Sequence, residues 1–573
     1  MKYHALIHTI RKGIILAIGS TAMLAACGGD GEPDSSAATT TSPSSPSTPS
    51  KTAAEMCAGL ENLEIPASAI GLPTTGGTVS SATLVASTET GNISGEYCKV
   101  LGKVHPVDFQ APDIRFEVDL PSNWNEKSVH FGGGGLDGTI PTTTGYATSS
   151  LSFLGELKTV KTPLARGFVT LGSDSGHQGN ASEGTFLKND EALANYAGEH
   201  VKKTHDVAAY LARTRYGKSF AHSYYVGGSG GGRQGLVAAQ RYPADYDGVI
   251  STFPASELLG LSFAMGRVSK ASLAPGGFIT SAKAKVLTAA VMTQCDALDG
   301  ATDGIISNPA ACSFDPSTLR CAGGADTGDT CLSDAQLNTV NTMATPLATK
   351  FDFANGIRTI AGYNILSGTD FWNSYYFPPL GLSPAAAVSD PASGQSSFFY
   401  AFPNAFVNFA IARTQLIDIM SFDFSDPSAL TARTQAVSNM MDATSTDLTA
   451  FKQRGGKLIL QHGQSDQFIP AQMSIDYYNR LVTRYGQATV GEFVKFYLVP
   501  GGAHGFGGQF EGAYDALTVL DNWVTSGNPP NKLVITDLNG ATAGRTRPLC
   551  EYPAWPKYIS GDVNSAASFT CTQ

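Results

Sequence analysis

The chain has 573 residues, enough for one large core with an insertion or for several domains. Acidic side chains outnumber basic ones, 48 to 38, for a formal net charge of −10, and no basic tract appears. This argues against nucleic-acid binding, and the composition is otherwise that of an ordinary soluble globular protein.

Residues 1–26 read as an export signal. Lys2, Arg11 and Lys12 supply positive charge, and Ile14 to Ala26 an apolar run too short to span a bilayer. The run ends Leu24-Ala25-Ala26-Cys27, which resembles a bacterial lipobox with Cys27 as the acylated first mature residue. An ordinary secretory signal is the rival reading. Gly28 and Gly29 follow where an Asp would mark inner-membrane retention, so the lipobox resemblance implies the outer membrane, with lipid on Cys27 as the sole membrane contact. Residues 27–55 are rich in Ser, Thr and Pro, cannot bury a core, and read as a tether.

The globular part begins near Cys57. Val129-His130-Phe131 and Phe168-Val169-Thr170-Leu171 read as short buried strands, and His200 to Tyr216 as a helix. Tyr224-Tyr225-Val226 reads as a strand running into Gly227-Gly228-Ser229-Gly230-Gly231, a G-x-S-x-G turn that opens a helix. Gly248-Val249-Ile250 is the next strand. After a long interval come a strand at 457–462, a helix at 474–485, a strand at 494–499 and a helix at 514–524. Alternating strands and helices predict a mostly parallel sheet of α/β class. The interval is too long for a loop and reads as an inserted lid. The expected organisation is a core in two parts, 56–255 and 446–573, with a lid domain at 256–445.

A serine hydroxyl needs a base, and the base needs an orienting acid. The strand at 457–462 runs into Gly463-Gln464-Ser465-Asp466, and that at 494–499 into Pro500-Gly501-Gly502-Ala503-His504. Each residue alone has a plain structural reading as a turn or loop residue. The order Ser229, Asp466, His504, each at a strand's C-terminal end, is that of an α/β-hydrolase. The glycines at 230–235 also match G-x-G-x-x-G, but that dinucleotide reading leaves Asp466 and His504 without a role. For an oxyanion hole, the Gly230 amide is one expected donor. Gly132 or Gly133, in the glycine loop after Phe131, is the other.

Nine cysteines are present, and without Cys27 the remaining eight are Cys57, Cys98, Cys295, Cys312, Cys321, Cys331, Cys550 and Cys571. In an exported chain these suggest disulfides, although eight cysteines allow 105 pairings and nearest-neighbour closure is one of them. No C-x-x-C pair supports a zinc site. Asp296, Asp299 and Asp303, with the carbonyls of Ala301 and Ile305, form an oxygen-rich loop suited to calcium. A solvated acidic turn explains the same residues. The interval also holds Phe371, Trp372, Tyr375, Tyr376, Phe377, Phe398, Phe399, Tyr400 and Phe402, read mostly as lid core and partly as an aromatic cradle.

These motifs, with Tyr246-Asp247-Gly248, Cys295-Asp296-Ala297-Leu298-Asp299-Gly300, Ala443 to Leu448 and Arg545-Thr546-Arg547-Pro548-Leu549-Cys550, resemble the tannase and feruloyl esterase family. The resemblance runs from about Cys57 to the C-terminus. It implies an α/β-hydrolase core with a large lid, structural Ca2+ at the acidic loop, nearest-neighbour disulfides (57–98, 295–312, 321–331, 550–571) and hydrolysis of aromatic carboxylic esters. Two departures stand out. The family joins a cysteine before the serine to one after the histidine, and here those positions are Gly228 and Gly505. Relatives that hydrolyse terephthalate monoesters hold the substrate carboxylate with a lid arginine. Between Arg358 and Arg413 this chain has no Lys or Arg, the aligned stretch reading Gln395 to Tyr400. The expectation is therefore a neutral aromatic ester of feruloyl or gallate type. The alternatives are a terephthalate monoester hydrolase, a peptidase, and a binding lipoprotein on an inactive hydrolase scaffold.

Overall fold

A computed structural model describes residues 51–146, 157, 159–372, 379–387, 397–505 and 507–573. The signal, Cys27 and most of the tether lie outside the described residues, as do Tyr375, Tyr376, Phe377, Gln395 and Ser396.

Ten strands form the main sheet. They are β1 (Glu64–Ile65), β2 (Gly76–Val85), β3 (Tyr97–His105), β4 (Ile114–Pro121), β5 (Lys127–Phe131), β6 (Val169–Ser173), β7 (His222–Gly228), β8 (Gly248–Thr252), β9 (Lys457–Gly463) and β10 (Val494–Val499). Their spatial order is β1-β2-β3-β4-β6-β5-β7-β8-β9-β10. From β6 through β5 to β10 every pairing is parallel. β1 to β4, and β4 with β6, pair antiparallel, so the sheet is mixed rather than mostly parallel. The two halves follow from their connections. β2, β3 and β4 follow one another through short loops, which only antiparallel neighbours allow, whereas helices cross over in the parallel half. Those helices include α1 (His200–Tyr216), which ends at Gly217 in a left-handed conformation, and α2 (Gly230–Arg241).

Between Thr252 and Lys457 the chain leaves the main sheet. This insertion begins with α3 (Leu258–Leu273) and includes α4 (Phe398–Ala405). Its Phe263, Phe353, Phe399 and Phe406 pack in the same apolar cluster as Leu136, Phe186, Tyr196 and Phe468 from outside it. Lys51–Gln573 accordingly form one compact unit. Beyond β9, α5 (Ala471–Tyr485) and α6 (Ala516–Ser526) complete the layers.

Disulfides join Cys57 to Cys98, Cys295 to Cys312, Cys321 to Cys331 and Cys550 to Cys571. They match the nearest-neighbour set and suit an exported protein. Among the described residues, no helix is long and apolar enough to cross a membrane.

Candidate active site

The C-terminal ends of β7, β9 and β10 place three polar side chains together. Ser229 sits between β7 and α2 with φ 59° and ψ −121°, a conformation a residue with a Cβ seldom adopts. Its neighbours explain how it is held. A Cβ on Gly227 would lie 2.5 Å from the Gly231 carbonyl, and one on Gly231 would lie 2.6 Å from the Gly133 oxygen. The turn therefore closes only with glycine at both places. The Ser229 N–H donates to the Thr252 carbonyl at 3.0 Å, tying the turn to β8. Arg233 on α2 is fully buried and donates to the carbonyls of Tyr196, Ala197 and Met441 at 2.9–3.0 Å, anchoring the helix that follows.

His504 Nε2 lies 3.0 Å from Ser229 Oγ, and His504 Nδ1 lies 2.8 Å from Asp466 Oδ2. Asp466 Oδ1 accepts the N–H groups of Phe468 and Ile469, each at 2.8 Å. Burial of Asp466 works to raise its carboxyl. His504 and His462 beside it outweigh that and hold it well below the usual carboxylate range. It therefore stays ionised at neutral pH, which fixes the imidazole with Nδ1–H toward the acid and the Nε2 lone pair toward the serine.

Several supporting residues escaped the sequence reading. The Gln467 side chain accepts the His504 N–H at 3.1 Å. Phe253, at φ 34°, sets its ring 4.7 Å from the His504 ring. His462 is fully buried between Ser474 Oγ (2.7 Å) and the Ile469 carbonyl (3.0 Å), with Nε2 3.4 Å from Asp466 Oδ2. His462 is the last residue but one of β9, just before the predicted acid turn, and that position is the one signal available in the sequence.

The two glycines considered for the oxyanion hole separate. The Gly132 N–H donates to the Val226 carbonyl at 2.9 Å, extending the β5–β7 ladder, so Gly132 is corrected to a structural position. Gly133 comes next. Its N–H makes no hydrogen bond among the described residues, and its carbonyl packs on the first turn of α2. Gly133 and Gly230 thus both border the cavity beside Ser229.

That cavity has a volume of about 310 Å³, and both Ser229 and His504 line it. Leu258, Leu261 and Met265 from α3, Phe398 and Phe402 from α4, and Phe468 and Ile469 after Asp466 form much of its wall. Among the described lining residues there is no Lys, Arg, Asp or Glu. Of the aromatic group read from the sequence, Phe398 and Phe402 reach the cavity. Phe371 and Phe399 are core, in line with the weighting toward packing.

The acidic loop lies elsewhere. Asp296 Oδ1 accepts the Gly304 N–H at 3.1 Å, and Asp299 accepts those of Ala301 and Ser307 at 3.1 and 2.8 Å. Asp303 pairs with the buried Arg547. The three carboxylates do not gather within 4.8 Å of one another. The described triplet that does, His205, Asp206 and Asp245, already holds the Lys202 ammonium, 3.0 Å from Asp206 and 3.1 Å from Asp245. The donor chemistry nevertheless fits a hard cation. Burial pushes the carboxyls of Asp296 and Asp299 up, and the Asp303 charge adds to this. Ala301 and Ile305 are buried, and their carbonyls accept no hydrogen bond among the described residues. A calcium ion takes such oxygens and neutralises such carboxylates.

Comparison with known proteins places this geometry. Residues 98–572 match the family described as Tannase and feruloyl esterase. An uncharacterized esterase of Agrobacterium fabrum is 40% identical over 91% of this chain and 93% of its own length. The mono(2-hydroxyethyl) terephthalate hydrolase of Piscinibacter sakaiensis is 32% identical over 83% of this chain and 85% of its own. Among solved structures, feruloyl esterase B from Aspergillus oryzae superposes with a TM-score of 0.72 at 23% identity, covering 91% of this chain and all of the other. That likeness shows the shared fold.

Proposed function

This chain belongs to the tannase and feruloyl esterase family and is a carboxylic ester hydrolase; from that premise we propose that it cleaves neutral aromatic esters through Ser229, His504 and Asp466. The observation that carries the reading is the Ser229–His504 contact of 3.0 Å at an apolar cavity lined by no charged side chain among the described residues. In this mechanism Ser229 Oγ attacks the ester carbonyl carbon while His504 Nε2 takes its proton. Asp466 stabilises the imidazolium and keeps it aligned. The amides of Gly133 and Gly230 receive the oxyanion. The intermediate collapses, the alcohol leaves with the proton from Nε2, and water repeats the sequence on the acyl-serine.

Substrate class follows from desolvation. A carboxylate moved into an apolar pocket without a cation loses its hydration uncompensated, whereas an aromatic ring gains by the transfer. Methyl ferulate and methyl gallate are the model substrates. A panel with purified enzyme tests the reading, kcat/KM for these esters being expected to exceed that for mono(2-hydroxyethyl) terephthalate. The reverse order would transfer this chain to the activity named for its Piscinibacter sakaiensis relative.

Three further features complete the proposal. The insertion, at about 256–445, acts as a lid over the cavity. Asp296, Asp299 and Asp303 with the carbonyls of Ala301 and Ile305 hold a structural calcium ion. Residues 1–26 direct export, and acylated Cys27 tethers the enzyme to the outer membrane.

A further inference from the structure

Behind the glycine loop lies a buried polar chain with no part in the proton relay. Gly134 to Asp137 form a turn closed by the Asp137 N–H on the Gly134 carbonyl at 2.9 Å. Asp137 takes φ 54°, in the left-handed region that residues other than glycine enter at a cost. This conformation turns its carboxyl back beneath the loop. A Cβ placed on Gly133 would meet Asp137 Cγ at 3.0 Å and both carboxyl oxygens at 3.1 Å. Asp137 Oδ2 accepts from Gln234 Nε2 at 2.6 Å, and Gln234 Oε1 accepts from the Tyr225 hydroxyl at 2.8 Å. Tyr225 belongs to β7, Gln234 to α2, and Asp137 to the loop that carries Gly133. The three side chains link every element around the Ser229 turn.

All three residues are buried, and among the described residues Asp137 Oδ1 has no hydrogen-bond partner. A left-handed backbone and a half-satisfied buried carboxyl both oppose folding, and such features persist mostly where function over-determines the local structure. Burial pushes the carboxyl up to about 7 in spite of Gln234, Arg233 and the nearby Ser175 hydroxyl, with Asp174 adding to the rise. The neutral form, which sets no full negative charge behind the hole, is thus accessible near neutral pH.

We propose that Asp137 is a positioning residue of the oxyanion hole, tying Gly133 through Gln234 to the helix that begins at Gly230 and so fixing the spacing of the two amides. The inference rests on the reading of Gly133 and Gly230 as the oxyanion donors. Misplaced donors weaken binding of the transition state more than binding of the ester, so the loss falls on kcat.

The test uses the mature enzyme with 4-nitrophenyl acetate, well below the melting temperature of each variant. Asp137→Ala should lower kcat about 10- to 100-fold, less than deletion of a whole donor usually does, with KM within about threefold. Asp137→Asn keeps an oxygen for Gln234 and should recover kcat to within about threefold of the parent. Gln234→Ala cuts the same link from the helix and should reproduce the alanine loss. The double variant should be no worse than either single one, because one link is broken once. If Asp137→Ala does not fold, Gln234→Ala and Asp137→Asn carry the test. A kcat kept within twofold on cutting the link, a loss confined to KM, or an Asn variant as poor as the Ala variant would each overturn the proposal. Fluorophosphonate labelling separates it from the underlying reading: a parent enzyme that hydrolyses the ester but is not labelled at Ser229 defeats the serine mechanism itself. A labelled parent with indifferent Asp137 variants defeats only the positioning role.

Discussion

The strand ends and the insertion build the same cavity by different means. The strand ends contribute polar groups held by backbone. Ser229 is locked at φ 59°, Asp466 takes two amide hydrogen bonds, and His504 is gripped on both ring nitrogens. The insertion contributes Leu258, Leu261, Met265, Phe398 and Phe402, apolar side chains on two helices. Displacing a polar atom by an ångström breaks a hydrogen bond, whereas a Met or Phe that shifts finds new contacts. On the proposed mechanism reaction chemistry is confined to the strand ends, and the insertion is where selectivity can change without loss of the fold.

The sharpest way to break this division is Ser229→Ala. Without the hydroxyl no acyl-enzyme forms, and turnover should fall by about 10⁴-fold or more. The melting temperature should stay near that of the parent, because the alanine occupies the same strained turn. Well-folded variant protein that keeps a few per cent of the parental rate would place the chemistry outside the strand ends.

The same division governs what the sequence shows. Ser229, Asp466 and His504 are legible because a strand pattern ends just before each and a turn pattern follows. The glycine loop after β5 is legible only as a loop. Gly132 and Gly133 look alike until β5 pairs with β7 and the Val226 carbonyl claims the Gly132 amide. Phe253 is invisible because no local rule assigns a positive φ to Phe, and Asp137 because Asp-Gly marks a turn without telling that the carboxyl is buried beneath it. The antiparallel strands are partly legible, since Tyr97–His105 alternates buried and half-buried positions while β2 carries Ser and Thr on both faces. Within the insertion, aromatic clustering marks a core, but only packing distinguishes Phe399, which is buried in it, from Phe398, which borders the cavity.

Exhaustive chelation tests the proposed calcium site in the insertion. Exhaustive chelation should lower the melting temperature by about 5 °C, because a ligand that binds the native state stabilises it by mass action. The rate of Ser229 labelling at low temperature should change little, since the loop at 296–305 lies outside the cavity lining. Unchanged melting, with no metal found by elemental analysis, would make the loop an acidic turn held by Arg547.

Glu257 stands at the junction, one residue before α3. Burial pushes its carboxyl up to about 8, and Arg480 at 3.5 Å opposes this only in part. The folded value lies above the unfolded one, so between about pH 4.5 and 8 the native state holds more protons than the unfolded state. Stability therefore falls as pH rises through that window. Glu257→Gln removes this dependence. Its melting temperature should exceed that of the parent by about 2–4 °C at pH 8 and match it near pH 5, read by scanning calorimetry. An advantage that does not grow with pH would show that Arg480 keeps Glu257 ionised.

The smallest effect belongs to the staple that this chain lacks. Gly228 closes β7 and Gly505 follows His504, the two positions at which the resemblance read from the sequence implies a disulfide. Replacing both with Cys would bond the strand end that carries the serine to the loop that carries the histidine, provided their Cα atoms lie within about 7 Å. Closing so long a loop is worth roughly 5 kcal/mol in the chain-entropy model. Much of that is lost again, because Gly505 has φ 82°, where a side chain costs about 1–3 kcal/mol, and distortion of the bond takes more. A net gain of about 1 kcal/mol is expected, with kcat nearly unchanged because the His504 ring is already held by Asp466 and Phe253 and its backbone N–H by Gln467. Mass spectrometry decides the geometry and calorimetry the energy. Two free thiols in the folded variant would mean that the histidine loop is placed differently from that of its relatives. A bond that forms but lowers kcat would mean that the loop must move during turnover, and that the strand ends are less rigid than the insertion they face.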